Sequence, residues 1–160
     1  MEETMKTYLL IAAGLILCLP AHGQERTAVM SDVTIWYDAF NKRDAALAQQ
    51  VMSEDWADIP AAPGQPAGRA GVQFILDDLT KSFPDFTITP AEILQDGNKV
   101  VVRSELTGTQ KAPFMGFPSK NRKMTIQTID IHEFKDGKIV RTWHSEDWLT
   151  ALHQLGAFEK

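Results

Sequence analysis

The chain has 160 residues, 44% of them apolar and 23% charged, with 16 basic and 21 acidic side chains. That length suits one domain with a real core, and the net negative charge lacks the basic footprint of a nucleic-acid binder. Cys18 is the sole cysteine, so the chain can form no internal disulfide.

The first segment stands apart. Lys6 precedes the apolar run YLLIAAGLILCL, and PAHG follows it. A positive start, an apolar middle and a small-x-small end form the pattern of a secretory signal peptide. The run is shorter than the roughly 20 residues that a membrane-spanning helix needs. The expectation is a signal peptide over 1–23, cleaved after Gly23, and an exported domain over 24–160, periplasmic or secreted. An uncleaved anchor is the other outcome.

Next, Val29, Val33, Trp36, Tyr37 and Phe40 recur at helical spacing. Asp44 suits the cap of a second helix, AALAQQVM. DIPAAPGQPAGRAG is rich in Pro and Gly and reads as a loop. Val72, Ile75, Leu76, Leu79 and Phe83 mark one face of a third helix, which Pro84 stops. Beyond it the pattern turns to strands: FTIT, EIL, NKVVVRSELTGT, RKMTIQTIDIHEF and KIVRTWHSED. Asp96-Gly97 and Asp136-Gly137 predict tight hairpin turns. The closing helix WLTALHQL ends at Gly156. Helices, an antiparallel meander and a last helix predict an α+β fold with helices packed on one face of a curved sheet.

The last hairpin carries the polar residues with chemical interest. Alternation puts Met124, Ile126, Thr128, Asp130, His132 and Phe134 on one face of their strand. An acid on that largely apolar face needs a partner or a purpose, because a buried unpaired carboxylate is costly. Burial also raises its pKa, which tunes a general base toward neutral pH. If Lys135 pairs with Lys138 and the ladder runs on unbroken, Asp130 faces Trp143 and shares its side with Arg141, Ser145 and Asp147. A slip of one residue gives it Thr142, His144 and Trp148 instead. Both registers stay open. Asp130, His144 and Asp147 are the candidate acid/base residues. Trp36, Phe40, Trp56, Phe114, Met124, Thr128, His132 and Trp143 are candidate pocket walls. Structural roles stand beside these: Asp130 as an ion-pair partner of Arg141 or His132, Asp147 as a helix cap, and the tryptophans as core. The loops 57–70 and 108–123 are candidate rims. Asp130-x-His132 and His144-x-x-Asp147 contain metal-ligand types but no dense cluster, so no metal is expected. No GxSxG nucleophile elbow or glycine-rich phosphate loop occurs.

From about Val29 to Phe158 the chain resembles the SnoaL-like polyketide cyclase (ester cyclase) family of the nuclear transport factor 2-like superfamily. The stretches that carry the resemblance are DAFNKRDAALAQQVMSEDW, GRAGVQFILDDLTKSFPDF, FMGFPSKNRKMTIQTIDIHEFKDGKIVRTWHSEDWL and HQLGAF. It implies a cone-shaped α+β barrel, in which a strongly bent antiparallel sheet and helices enclose a deep apolar pocket. It also implies a homodimer through the sheet, an apolar small molecule as partner, and acid/base chemistry without cofactor or metal. By resemblance Asp130 and His144 lie where the family keeps its acid and helper, and Asp147 matches its strand-end Asp. The chain departs from the family at His144, where an acid is common, and at Gln110 and Ile59-Pro60, where a histidine is common nearby. The functions these readings imply are proton transfer on a small carbonyl or ester compound, non-catalytic binding of an apolar molecule, or a dimeric interaction module.

Overall fold

The computed structural model describes residues 21–159. The expected signal peptide lies almost wholly outside the described residues. Among those described, no helix is long and apolar enough to cross a membrane.

The chain begins with α1 (Ala21–Lys42), which buries Val33, Trp36, Tyr37 and Phe40 along one stripe. Arg43 takes a left-handed backbone and ends it. Asp44 then caps α2 (Ala45–Val51), accepting a hydrogen bond from the Ala46 N–H at 3.0 Å. β1 (Met52–Ile59) follows directly. After a loop, Gly68 admits the chain to α3 (Arg69–Ser82). A Cβ on Gly68 would lie 2.4 Å from the Glu54 carbonyl oxygen, and its φ is +67°, so only glycine lets the loop lie against β1 here. The hairpin β2 (Thr87–Asp96) and β3 (Lys99–Thr109) comes next, then the hairpin β4 (Lys123–Lys135) and β5 (Lys138–Glu146), then α4 (Trp148–Gln154).

The sheet corrects the expected shape. It has five strands in the order β1-β5-β4-β3-β2, and its edge strands β1 and β2 do not pair with each other. It is an open sheet, neither a closed barrel nor a cone. It is also mixed rather than antiparallel throughout, since β1 runs parallel to β5. The α+β class itself stands. β1 escapes a sequence reading because MSEDWADI carries three acids and does not alternate: only Met52 and Trp56 are buried, and a register shift lies between Met52 and Ala57. Parallel neighbours cannot be joined by a tight hairpin; the chain leaves β1 through α3 and returns beside it as β5 only after β2, β3 and β4. The separately read FTIT and EIL segments are one strand, β2, bulged at Ala91 beside Pro90. An edge strand tolerates both features.

The core lies between the sheet and the helices. Phe83, Phe86, Leu76, Met124 and Leu155 are fully enclosed at one end. Trp36, Trp56, Met52 and Ile139 fill the other. Burial alternates strictly along the first part of β4, with Met124, Ile126 and Thr128 inward and Thr125, Gln127 and Ile129 outward.

Both proposed hairpin registers contain part of the answer. Asp136 and Gly137 both adopt positive φ, and Lys135 pairs with Lys138, as a two-residue turn requires. Phe134 then pairs with Ile139, but Glu133 pairs with Arg141. Val140 is the extra residue of a bulge. The one-residue shift sets Asp130 opposite His144 and turns Thr142, His144 and Glu146 to the inner side.

Candidate functional site

A cavity of about 370 Å³ lies between the inner face of the sheet and the helices. Its wall is mostly apolar. α1 contributes Trp36, Tyr37 and Phe40; α3 contributes Phe74, Ile75 and Leu79; Ile88 and Leu106 come from β2 and β3. The two loops expected as rims do reach it, through Pro60 to Pro63 on one side and Phe114 and Met115 on the other. The polar groups on the wall come chiefly from β1, β4 and β5: Asp58, Thr128, Asp130, Thr142, His144 and Glu146.

Asp130 is half-buried in this wall. The Tyr37 hydroxyl donates to its Oδ2 at 2.5 Å. Burial pushes the Asp130 carboxyl up to about 6; the Tyr37 hydrogen bond and the charge of His144 pull against that, while Glu146 and Asp58 add to it. Behind Tyr37 sits His132, fully buried. Its Nε2 lies 3.3 Å from the Tyr37 hydroxyl and its Nδ1 lies 3.0 Å from the Thr142 hydroxyl. The Trp36 ring meets its edge with centroids 5.4 Å apart. Burial drives the His132 pKa down to about 3, so the ring is neutral at any ordinary pH.

His144 has the opposite fate. Its Nδ1 is 2.8 Å from Glu146 Oε1, and its Nε2 is 2.9 Å from the Pro60 carbonyl and 3.3 Å from Asp58 Oδ1. All three neighbours are acceptors, so both ring nitrogens must donate, and the ring is an imidazolium. Burial alone would lower its pKa; the hydrogen bond and charge of Glu146, then Asp58 and the Pro60 carbonyl, outweigh burial and raise it to about 9. Burial raises the Asp58 pKa, opposed by a hydrogen bond from Gln65 Nε2 at 2.9 Å and by the charge of His144. The Trp148 indole donates to Glu146 Oε2 at 3.1 Å and steadies the other end of this trio.

Of the sequence candidates, Asp130, His144, Trp36, Phe40, Trp56, Phe114 and Thr128 line the cavity. Asp147 does not join them: it is exposed and caps α4, accepting from the Thr150 N–H at 3.1 Å. Met124 is in the core below the cavity, and His132 is shielded from it behind Tyr37 and Trp36. Trp143 faces the outer side of the sheet, where Lys99 and Arg141 lie over its ring at 5.2 and 5.3 Å. Sequence reading missed Tyr37, Asp58 and Glu146. Tyr37 looked like one more helix-core aromatic. Asp58 and Glu146 depend on β1 and on the β5 bulge, neither of which leaves a periodic signal. Among the described residues, no three His, Cys, Asp or Glu side chains are grouped to hold a metal ion.

Residues 31–155 match the model of the SnoaL-like polyketide cyclase family. That match spans well over half of the sequence, and the chain belongs to this family, within the nuclear transport factor 2-like superfamily. Solved structures agree. A proposed polyketide cyclase from Bacillus cereus is 30% identical with a TM-score of 0.74, over 84% of each chain. TsrD from Streptomyces laurentii is 25% identical with a TM-score of 0.77, over 82% of this chain and 97% of that one. IdmH, a proposed polyketide cyclase from Streptomyces antibioticus, is 29% identical with a TM-score of 0.70, over 80% and 98%. A comparison with curated proteins gives no match.

Proposed function

We propose that this protein is a cofactor-independent acid/base catalyst acting on a small, uncharged carbonyl or ester compound. The observation that carries the reading is an ionisable carboxyl, Asp130, half-buried on the wall of an apolar cavity and paired across the ladder with a protonated histidine, His144. A carboxyl that titrates near 6 is mostly ionised at neutral pH yet basic enough to take a proton from carbon beside a carbonyl. The negative charge that develops on the carbonyl oxygen needs a donor, and the imidazolium supplies one. To do so, His144 exchanges its bond to Pro60 or Asp58 for one to the substrate. The proton held on Asp130 then returns, either to another carbon in an isomerisation or to the alkoxide formed when the enolate closes on a second carbonyl. The relatives described as proposed polyketide cyclases make ring closure the first reaction class to examine.

Charge on the wall narrows the substrate. Among the described residues, Asp58, Asp78, Asp130 and Glu146 are its acids, and His144 is its only basic side chain. Anionic substrates such as carboxylates or phosphates are repelled, and a neutral, largely apolar molecule fits.

One observation favours a second reading, a non-catalytic binding module. Both His144 N–H groups are already satisfied, as in a structural ion cluster. A screen of neutral ketones and esters against wild type and Asp130→Asn separates the two. The catalytic reading predicts turnover that falls by about 10²–10⁴-fold in the variant while ligand still binds. Binding without turnover in either protein would overturn it.

Two further proposals rest on other regions. The leading apolar run supports export, with cleavage near Gly23. Leu94 and Ile129 are exposed, Ile129 on the outer face of the sheet, and apolar side chains there support a homodimer through that face. N-terminal sequencing of exported protein tests the first, and sedimentation analysis the second.

A further inference from the structure

Five side chains from four elements form one continuous hydrogen-bond chain through the interior. The Trp56 indole N–H of β1 donates to the Thr142 hydroxyl of β5 at 3.0 Å. Thr142 meets His132 Nδ1 of β4 at 3.0 Å; His132 Nε2 meets the Tyr37 hydroxyl of α1 at 3.3 Å; Tyr37 donates to Asp130 of β4 at 2.5 Å. Trp56, Thr142, His132 and Tyr37 are all buried.

The direction of the chain follows from its two ends. An indole nitrogen only donates, so the Thr142 oxygen accepts there and its own proton is free for His132 Nδ1. An ionised carboxylate only accepts, so the Tyr37 proton lies on Asp130 and the Tyr37 oxygen is left to accept from His132 Nε2–H. A neutral histidine carries one ring proton, and this tautomer is the one that satisfies both neighbours at once. Every proton is used once. The other tautomer would set the Nε2 lone pair against the Tyr37 oxygen or draw the Tyr37 proton away from Asp130.

We propose that Tyr37, His132 and Thr142 are positioning residues for Asp130: a one-way hydrogen-bond chain, anchored on the Trp56 indole, holds the Tyr37 hydroxyl as a donor to Oδ2 and leaves Oδ1 as the oxygen offered to the cavity. Oδ1 receives no hydrogen bond from the described residues, and Asp130 lines the cavity. The catalytic consequence rests on the reading of Asp130 as the base; the chain itself does not. The other titratable groups that face Asp130 are Asp58 on β1 and His144 and Glu146 on β5, and none of these is a link of the chain.

The test is NMR on the full-length protein, in wild type, Tyr37→Phe and Thr142→Val. Ring nitrogen shifts report the His132 tautomer without any substitution, and the expected form is Nε2–H above pH 7. The carboxyl carbon of Asp130 reports its titration midpoint. Removing the hydrogen bond in Tyr37→Phe raises that midpoint by about one pH unit. Thr142→Val removes no hydrogen bond made by Asp130 itself, yet frees His132 to take the other tautomer and draw the Tyr37 proton. It therefore raises the midpoint in the same direction by a smaller amount. A residue that only packs would leave it unchanged. An Nδ1–H tautomer in wild type, or an unmoved Asp130 midpoint in folded Thr142→Val, overturns the proposal. Shifted midpoints in a protein with no turnover leave the chain standing and remove the catalytic role of Asp130.

Discussion

His132 and His144 lie on neighbouring strands, on the same side of one sheet, and their environments send them in opposite directions. His132 is enclosed by Trp36, Tyr37 and Thr142, with no carboxylate in contact, and desolvation holds it neutral. His144 lies between two carboxylates and a carbonyl, and they hold it charged. Burial acts on both rings; what differs is whether acceptors surround the ring nitrogens. Asp130 stands between them. Burial raises its carboxyl, while the Tyr37 hydrogen bond on the neutral side and the His144 cation on the charged side pull against that rise. One carboxyl is thereby set between two electrostatic regimes.

Cutting Trp36 to Ala removes the shield that keeps the two rings different. That ring packs on Phe40, Trp56 and His132, so its loss costs about 3–5 kcal/mol of stability. Water entering beside His132 lets it titrate closer to 6.5. Chemical denaturation together with the His132 titration measures both effects.

Glu146→Gln sharpens the other side. Gln cannot match the charge that holds His144, so its pKa falls from about 9 toward 6.5. Loss of a hydrogen bond between charged groups costs about 1.5–3 kcal/mol. If His144 acts as the acid, kcat/KM is bell-shaped in wild type, with limbs near 6 and 9; in the variant the basic limb moves down furthest, and the acidic limb follows it by less because the Glu146 charge also raises Asp130.

Stability against pH has a sign for each ring. His144 has a raised folded-state pKa, so its contribution is full below about 6.5 and is lost as pH rises toward 9. His132 has a lowered one, so stability is lost as pH falls from 6.5 toward 3. Asp130, raised to about 6, contributes most below about 4 and loses that contribution as pH rises through 6, partly offsetting His132. Denaturation midpoints from pH 4 to 10 should therefore peak near neutrality. The smallest effect belongs to Asp147→Ala: loss of the α4 cap lowers the thermal midpoint slightly and leaves turnover unchanged, because Asp147 does not reach the cavity.

Much of this was legible in the sequence where one period or one motif governs. The helix stripe of Val33, Trp36, Tyr37 and Phe40, the Asp44 cap and the Asp136-Gly137 turn are local features, and they emerge as local geometry. Asp130 stood out as an acid in an apolar alternation. The rest depends on contacts that no local pattern encodes. β1 is a strand because β5 offers it an edge, not because MSEDWADI alternates. The bulge at Val140 decides which side of β5 meets Asp130, and no glycine marks it. The open sheet, where a cone-shaped barrel was expected, has the same origin: with β1 joined parallel to β5, nothing brings β1 to β2, and α1, α3 and the loop around Pro60 supply the remaining cavity wall.

The central claim is that one sheet face holds a neutral histidine, a charged histidine and a carboxyl tuned between them. One NMR pH titration of the wild-type protein tests it most directly, following the rings of His132 and His144 and the carboxyl carbon of Asp130. The expected result is no protonation of His132 down to about pH 4, a His144 midpoint near 9 and an Asp130 midpoint near 6. Two histidines titrating together near 6.5, with Asp130 near 4, would contradict it.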